Sequence, residues 1–313
     1  MIKNVFDYFE DLHAKDLPKN EHSIIMDHDR IVEIDNRSLM SAYGKPNLSI
    51  DGTPYHAKKM MKRYPIMDTA TGKMYNDIGI PTLPTYSLET DGLGARKFKT
   101  ISQNVHSVKG LLFSIAAEIL HDPEFSYFRV KNDYKWAVFY DKKLQQIFLK
   151  YMTPDCLEIL EALFLIDEIR TEVDRHEDNY FLVKGPNDRK FKSIISLDNE
   201  LGEIFLREPA PTTKERFVQF AKHPYFSYTP QGGSSPSVNY FTRIKQIKQL
   251  IQDQVLTPKQ IKIIKQALQY DFPEEIRQAG SHPFLQGDVI PAYDSVSQLW
   301  DYNRTELGKE LSM

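Results

Sequence analysis

Apolar positions change their period part-way along the 313-residue chain. From about 31 to 103 they come in short bursts. "RIVEID" and "PTYSLET" carry strand-like residues, and "NLSIDGTPYHAKKM" reads as strand, Asp-Gly turn, strand. Between them "MDTATGKMYNDIGIP" has helical spacing and a stop at Gly79 and Pro81. From about 104 onward helical spacing dominates. "HSVKGLLFSIAAEIL" predicts one helix, and "TPDCLEILEALFLIDEIR" predicts another, with Thr153 as N-cap and Pro154 at the first helical position. The continuous apolar side of that second segment, with Leu157, Leu160, Leu163 and Ile166, marks a core helix. "TPQGGSSPSVN", residues 229–239, has the Gly, Ser and Pro content of a surface loop. Two amphipathic helices follow it, "FTRIKQIKQLIQDQ" and "TPKQIKIIKQALQY", the second opened by Thr257 and Pro258. A small β-rich part, about 1–103, followed by a larger helical part, about 104–313, predicts an α+β, two-lobed layout.

Composition narrows the functional classes. At 41% hydrophobic and 27% charged residues the chain has ordinary globular usage, which excludes long disorder as its main character. The net charge of −3 provides no global field to recruit nucleic acid or an anionic membrane, so any such contact has to be local. Cys156 is the single cysteine, which excludes an internal disulfide framework and a cysteine-rich metal site and suits a reducing compartment. The opening residues lack the apolar core of about 7–15 residues that a signal peptide carries. No run of about 18 apolar residues occurs. The expectation is a soluble protein, cytoplasmic or secreted without a signal peptide.

The chemistry concentrates just after the core helix. "DRHEDN", residues 174–179, leads into "YFLVKG", a turn at "PNDR", and "FKSIISLDNE", which ends on a second acid, Asp198. A charged turn followed by a plain hairpin would give the same text. Phosphoryl transfer, however, needs this arrangement: one carboxylate to accept or orient the hydroxyl proton of the acceptor, and an amide plus a second carboxylate to hold Mg²⁺ on the phosphates. Asn and Asp supply the hard oxygens that Mg²⁺ prefers. Asp174 and Asn179 are five residues apart, so one loop can aim both at a shared site, and the hairpin returns Asp198 to the same end.

"DRHEDN", followed nineteen residues after its Asn by the acid of "SLDNE", resembles the catalytic and metal-binding loops of HipA-like serine/threonine kinases. It is also similar to the type II phosphatidylinositol 4-kinases and their relatives. The resemblance implies Asp174 as catalytic base, Asn179 as catalytic-loop metal ligand, and Asp198 as the metal-binding acid of the DFG type. Upstream, "SAYGKPNLSI" sits where the family has a small-residue phosphate loop, which implies nucleotide contacts from Ser41, Gly44 and Lys45. "YHAKKM" resembles the Ala-x-Lys strand and points to Lys59 rather than Lys58. "MDTATGKMYNDIGIP" resembles the next helix, with Asp68 where a Glu is usual. "RKFKTISQNV" resembles the last strand before the hinge, which places adenine near Ile101–Gln103. The resemblance covers about residues 31–205 and implies ATP and Mg²⁺ as cofactors, a protein Ser/Thr acceptor, and a small antitoxin-type partner as in many members. It also implies autophosphorylation of a loop serine, among Ser38, Ser41 and Ser49, with Ser41 the leading choice. A phosphoinositide kinase and a pseudokinase acting as a binding module are the alternatives.

Other residues have simpler readings. His176 has no neighbouring His or Cys and is expected to brace the loop by hydrogen bonding. Cys156 is expected to be an inert core thiol. Asp294 lies in "VIPAYDSVSQLW", which resembles the Pro-Ala-Tyr-Asp around the metal-binding acid of HipA, but Asp198 already has the required spacing, so Asp294 is assigned to a surface turn. Arg243, Lys245, Lys248, Lys259, Lys262 and Lys265 face the single acid Asp253 across 241–268 and predict a solvated lysine-rich face. The other reading of that face is a docking surface for RNA, an acidic protein or inositol lipid headgroups, and it lacks the aromatic interleaving of single-strand binders.

Overall fold

The computed structural model describes side chains at 67–83, 85, 123–125, 134–170, 172, 175, 179–185, 187–197, 199, 242–278 and 296–313, and only the backbone of the other strand and helix residues named below. Six strands form one sheet: β1 (Ser23–Asp27), β2 (Ile31–Ile34), β3 (Asn47–Ile50), β4 (Thr53–Lys58), β5 (Thr85–Asp91) and β6 (Lys97–Gln103). Their spatial order is β1-β5-β6-β4-β3-β2. β1 runs parallel to β5, and the other pairs are antiparallel. Ile50 faces Thr53 across β3 and β4, the register that a two-residue Asp-Gly connection dictates.

Helix α1 (Arg63–Ile78) lies against β5 and β6 and buries Met67, Ala70, Met74, Tyr75 and Ile78, an i, i+3, i+7, i+8, i+11 stripe. It ends as its sequence predicts. Gly79 takes φ +89°, its N–H donates to the Asn76 carbonyl at 3.1 Å, and the Ile80 N–H donates to the Tyr75 carbonyl at 2.8 Å. A left-handed residue after the last turn lets those two carbonyls find donors, and glycine adopts it without a Cβ penalty.

A second sheet holds β7 (Leu112–Ser114), β8 (Tyr180–Val183) and β9 (Ser193–Ser196), all antiparallel. β7 corrects the expectation of one continuous helix over 106–120 at residues 112–114, while 106–111 and 115–120 lie outside the described residues. A short apolar run such as "LLF" suits a buried strand as well as a helix, and pairing with Phe181–Val183 decides the matter by occupying the free edge of β8. A third, two-stranded sheet pairs β10 (Ser227–Tyr228) with β11 (Val238–Asn239), so the last two residues of the expected 229–239 loop are strand, and 229–237 lie outside the described residues.

The helical body comprises α2 (Tyr134–Ala137), α3 (Lys142–Tyr151), α4 (Pro154–Arg170), α5 (Tyr240–Gln252), α6 (Pro258–Gln269), α7 (Phe272–Ala279) and α8 (Gln286–Gly308). The fold class is α+β. α4 is the core helix: Thr153 Oγ1 accepts from Cys156 N at 3.3 Å, and its apolar residues are buried nearly all round. Cys156 is fully buried, and burial pushes its thiol well above the usual range, as an inert core thiol requires. α6 opens with a reciprocal capping box between Thr257 and Gln260. α8 corrects the reading of Asp294, which stands within a helix rather than in a turn.

The basic face of α5 and α6 is only partly solvated. Arg243 is buried over the Trp136 ring at 5.3 Å with Glu168 at 3.7 Å, Lys248 reaches Glu306 and Glu310, and Lys259 lies 3.2 Å from Glu158. Lys245 and Lys262 are exposed and Lys265 is half-buried. Half of the expected cationic surface therefore serves to bind α5 and α6 to α4 and α8. Among the described residues no helix is long and apolar enough to cross a membrane.

Candidate active site

The β8–β9 hairpin brings its two ends together. Tyr180 faces Ser196, and one step beyond the register the Leu197 N–H donates to the Asn179 carbonyl at 2.9 Å. The segment after α1 docks on the same place. The Ser196 N–H donates to the Pro81 carbonyl at 2.9 Å, and Thr82 Oγ1 donates to the Ser196 carbonyl at 2.8 Å. Thr82 is thus bridged in parallel to β9, and "IGIPT" becomes the link between α1 and the hairpin.

Arg175 occupies the centre. A guanidinium has five N–H donors, and all five are used. Nε and Nη2 fork onto Asp167 at 2.8 and 3.1 Å, Nη1 donates to the carbonyls of Asn179 at 2.9 Å and Leu197 at 2.6 Å, and Nη2 also donates to Asn199 Oδ1 at 2.9 Å. Burial opposes its charge, but the attraction and hydrogen bonding of Asp167, with Tyr75 and Glu172 behind it, together hold the guanidinium above its ordinary pKa, so it is permanently a cation. Lys135 Nζ donates to the Arg175 carbonyl and secures the same residue from α2.

Asn199 is the second hub, 1% exposed. Its N–H donates to Asp68 Oδ1 at 3.1 Å, its Nδ2 donates to Thr82 Oγ1 at 2.7 Å, and its carbonyl accepts from Arg170 Nη2 at 3.1 Å. Its Oδ1 accepts from both Arg175 and Ser196 Oγ. Arg170 Nη1 donates to Tyr75 Oη at 2.5 Å, and Tyr75 donates in turn to Asp167 Oδ1 at 2.5 Å. Burial pushes the Tyr75 phenol far above its ordinary value, so it stays protonated and remains a donor. Arg170 also lies over the rings of Tyr75 at 4.8 Å and Phe272 at 5.8 Å. One polar network therefore ties α1, α4, the Arg175 loop, the end of β9 and α7 together inside the core.

The candidate residues fall into two groups. Asp68 and Asn179 are described, both buried, and the network brings them to the same junction. Gln103 is the last residue of β6, with its backbone opposite Tyr55. Asp174, Asp198, Lys59, Lys45, Gly44, Ser41, Ser38 and His176 lie outside the described residues. Ser49 is described by backbone alone, within β3. Arg175 and Asn199 are covalent neighbours of Asp174 and Asp198. Sequence reasoning passed over Asp167, Arg170, Tyr75, Thr82 and Asn199. A signal existed for two of them: Asp167 and Arg170 are charges at the end of a core helix rich in apolar residues, and a charge buried there must be paired. Among the described residues no cluster of three His, Cys, Asp or Glu side chains could hold a metal ion.

No family model matches the chain, and no curated protein matches it. Solved structures do. One is the Helicobacter pylori proinflammatory kinase CtkA, with a TM-score of 0.58 at 11% identity over 91% of this chain and 96% of that one. Another is HipA in the Shewanella oneidensis MR-1 toxin–antitoxin complex with HipB and operator DNA, with a TM-score of 0.50 at 11% identity over 88% of this chain and 67% of that one. The chain has a HipA-like kinase fold. Within this HipA-like fold the buried network joins the helix carrying Asp68 to the two segments that flank Asp174 and Asp198 in sequence.

Proposed function

We propose that the protein is a Mg²⁺-dependent ATP phosphotransferase that delivers the γ-phosphoryl group to a Ser or Thr hydroxyl of a protein. The observation that carries this reading is the meeting of Arg175, Asn179, Leu197 and Asn199 in one hydrogen-bonded junction, on a fold shared with kinases. Two short motifs separated in sequence are of little weight alone, and their convergence is what a shared site demands.

In this reading the nucleotide lies between a β-rich lobe, 1–103, and a helical lobe, 104–313. Asp174 orients the acceptor hydroxyl and takes its proton. Asn179 and Asp198 offer an amide oxygen and a carboxylate, a hard donor set that fits Mg²⁺. When bound, the ion neutralises charge on the phosphates during transfer. Lys59 holds phosphate oxygens, and Asp68, which spends one oxygen on the Asn199 N–H, keeps a second for that lysine. Ser41, Gly44 and Lys45 close over the phosphates, and Gln103 lies at the adenine end. A small antitoxin-type protein belongs to the same reading, as HipB accompanies HipA.

A thermal-shift titration tests it. ATP with Mg²⁺ at 100 times its Kd should stabilise the wild type by about 2.7 kcal/mol, and Asp198→Asn should lose the Mg²⁺-dependent part of that gain. Absence of any ATP-dependent shift in the wild type would overturn the reading.

A further inference from the structure

Resting on that kinase reading, we propose that Asn199 is a positioning residue that sets the relative placement of the two catalytic acids and couples it to helix α1. Asp174 and Asp198 are each followed by a buried residue, and those two residues are hydrogen-bonded to one another, Arg175 Nη2 to Asn199 Oδ1 at 2.9 Å. Each acid is therefore one peptide unit from an anchored neighbour, and the Arg175–Asn199 bond is the span between the anchors.

The chemistry of the site selects an amide. Arginine only donates, so the oxygen of residue 199 faces Arg175, and its two lone pairs are matched by Arg175 and Ser196 Oγ. The opposite side needs a donor. Thr82 Oγ1 gives its own proton to the Ser196 carbonyl and so accepts from Asn199 Nδ2 at 2.7 Å. Leucine has neither group, and aspartate has no donor for Thr82. The main chain of Asn199 adds the bonds to Asp68 and Arg170. Buried charged networks of this kind contribute little net stability compared with apolar packing, but they fix one geometry sharply. Phosphoryl transfer depends on positioning and electrostatic stabilisation, which gives such a network a catalytic consequence. Asn199 touches no reacting group; it acts through Asp198, Arg175 and Asp68.

The test is steady-state kinetics of phosphoryl transfer by the full-length protein, with the Mg²⁺ dependence measured for each variant. Asn199→Leu should lower kcat by about 10²-fold, the scale of a misplacement of about 1 Å. The Mg²⁺ concentration for half-maximal rate should rise about tenfold, the mark of a displaced ligand, while KM for ATP changes by less than about threefold. A merely structural role would change the melting temperature without moving the Mg²⁺ requirement. If Asn199→Leu does not melt cooperatively, Thr82→Val decides: a loss of about threefold to tenfold in kcat, largely recovered in Thr82→Ser, supports the assignment. A folded Asn199→Leu with kcat and Mg²⁺ requirement both within about twofold of an active wild type overturns it, as does an indifferent Thr82→Val when Asn199→Leu does not fold. A wild type that neither binds Mg²⁺–ATP nor transfers phosphate is a different result, which removes the kinase reading and this proposal with it.

Discussion

Arg175 has its five N–H groups spent inside a core that excludes water, so its removal strands Asp167 with Tyr75 as the remaining donor among the bonds described above. Breaking a buried pair by deleting one partner costs about 3–5 kcal/mol, because the surviving charge keeps its desolvation penalty. Arg175→Met should therefore lower the urea-unfolding free energy by about that amount, and Arg175→Lys should restore only a minor part, since a single ammonium cannot reach four acceptor residues. Glu161 makes a second residue-scale prediction. Burial pushes its carboxyl from 4.5 up to about 7, against the hydrogen bond from Gln260 Nε2 and with the help of nearby Glu158. The folded protein then binds more protons than the unfolded chain between those two values, so stability falls as pH rises from about 4.5 to about 7 and levels off above. Glu161→Gln keeps an oxygen for Gln260 and removes the titration. Its unfolding free energy should lose that decline, a difference on the order of 1–3 kcal/mol across the window. Equal slopes for both proteins would contradict the assignment. Neither network was legible as such: the sequence marks Asp167 and Glu161 as charges in an apolar helix, but their partners Arg175 and Gln260 are set by tertiary packing.

The helices were the most legible elements. Thr153-Pro154 and Thr257-Pro258 announced α4 and α6, and the Gly79 stop announced the end of α1, because caps are local chemistry. At Gly79 an added Cβ would meet nothing within 4 Å, so Gly79→Ala tests backbone strain alone. It should cost about 1 kcal/mol in urea unfolding, with no change in oligomeric state or in the slope of the transition. The strand β7 and the helix across Asp294 were misread for the converse reason. Leu112–Ser114 becomes strand because β8 has an edge to fill, and Pro291 did not prevent α8 from running Gln286–Gly308. Long-range pairing and packing override what a short window suggests. The basic face of α5 and α6 was misjudged at the same scale, since its counter-charges Glu158, Glu168, Glu306 and Glu310 come from α4, α8 and the turn that follows α8.

Across the whole molecule, α1 is held from both directions. It lies on β5 and β6, while Lys73 pairs with Glu275 at 2.7 Å and Asp77 accepts from Tyr270 Oη at 3.0 Å on the C-terminal side. Trp300, fully buried in α8, stacks on Phe272 at 4.9 Å and donates to the Ala267 carbonyl. Tyr270, Glu275 and the Phe272–Trp300 pair, from the C-terminal part of the chain, thus brace the helix that carries Asp68. Asp174, Asn179 and Asp198 stand out in the sequence because phosphoryl transfer, where it occurs, constrains residue type. The buried scaffold around Arg175 and Asn199 does not, because hydrogen-bonding partners such as Thr82 and Asn199 are 117 residues apart. The central claim is that Asp174 serves as the base of an ATP phosphotransferase. It is tested most directly by measuring transfer of labelled γ-phosphate from ATP to protein in a cell lysate by wild type and Asp174→Ala. The account predicts Mg²⁺-dependent transfer by the wild type, a loss of at least about 10²-fold in the variant, and unchanged nucleotide affinity. Full transfer by a folded Asp174→Ala would contradict it.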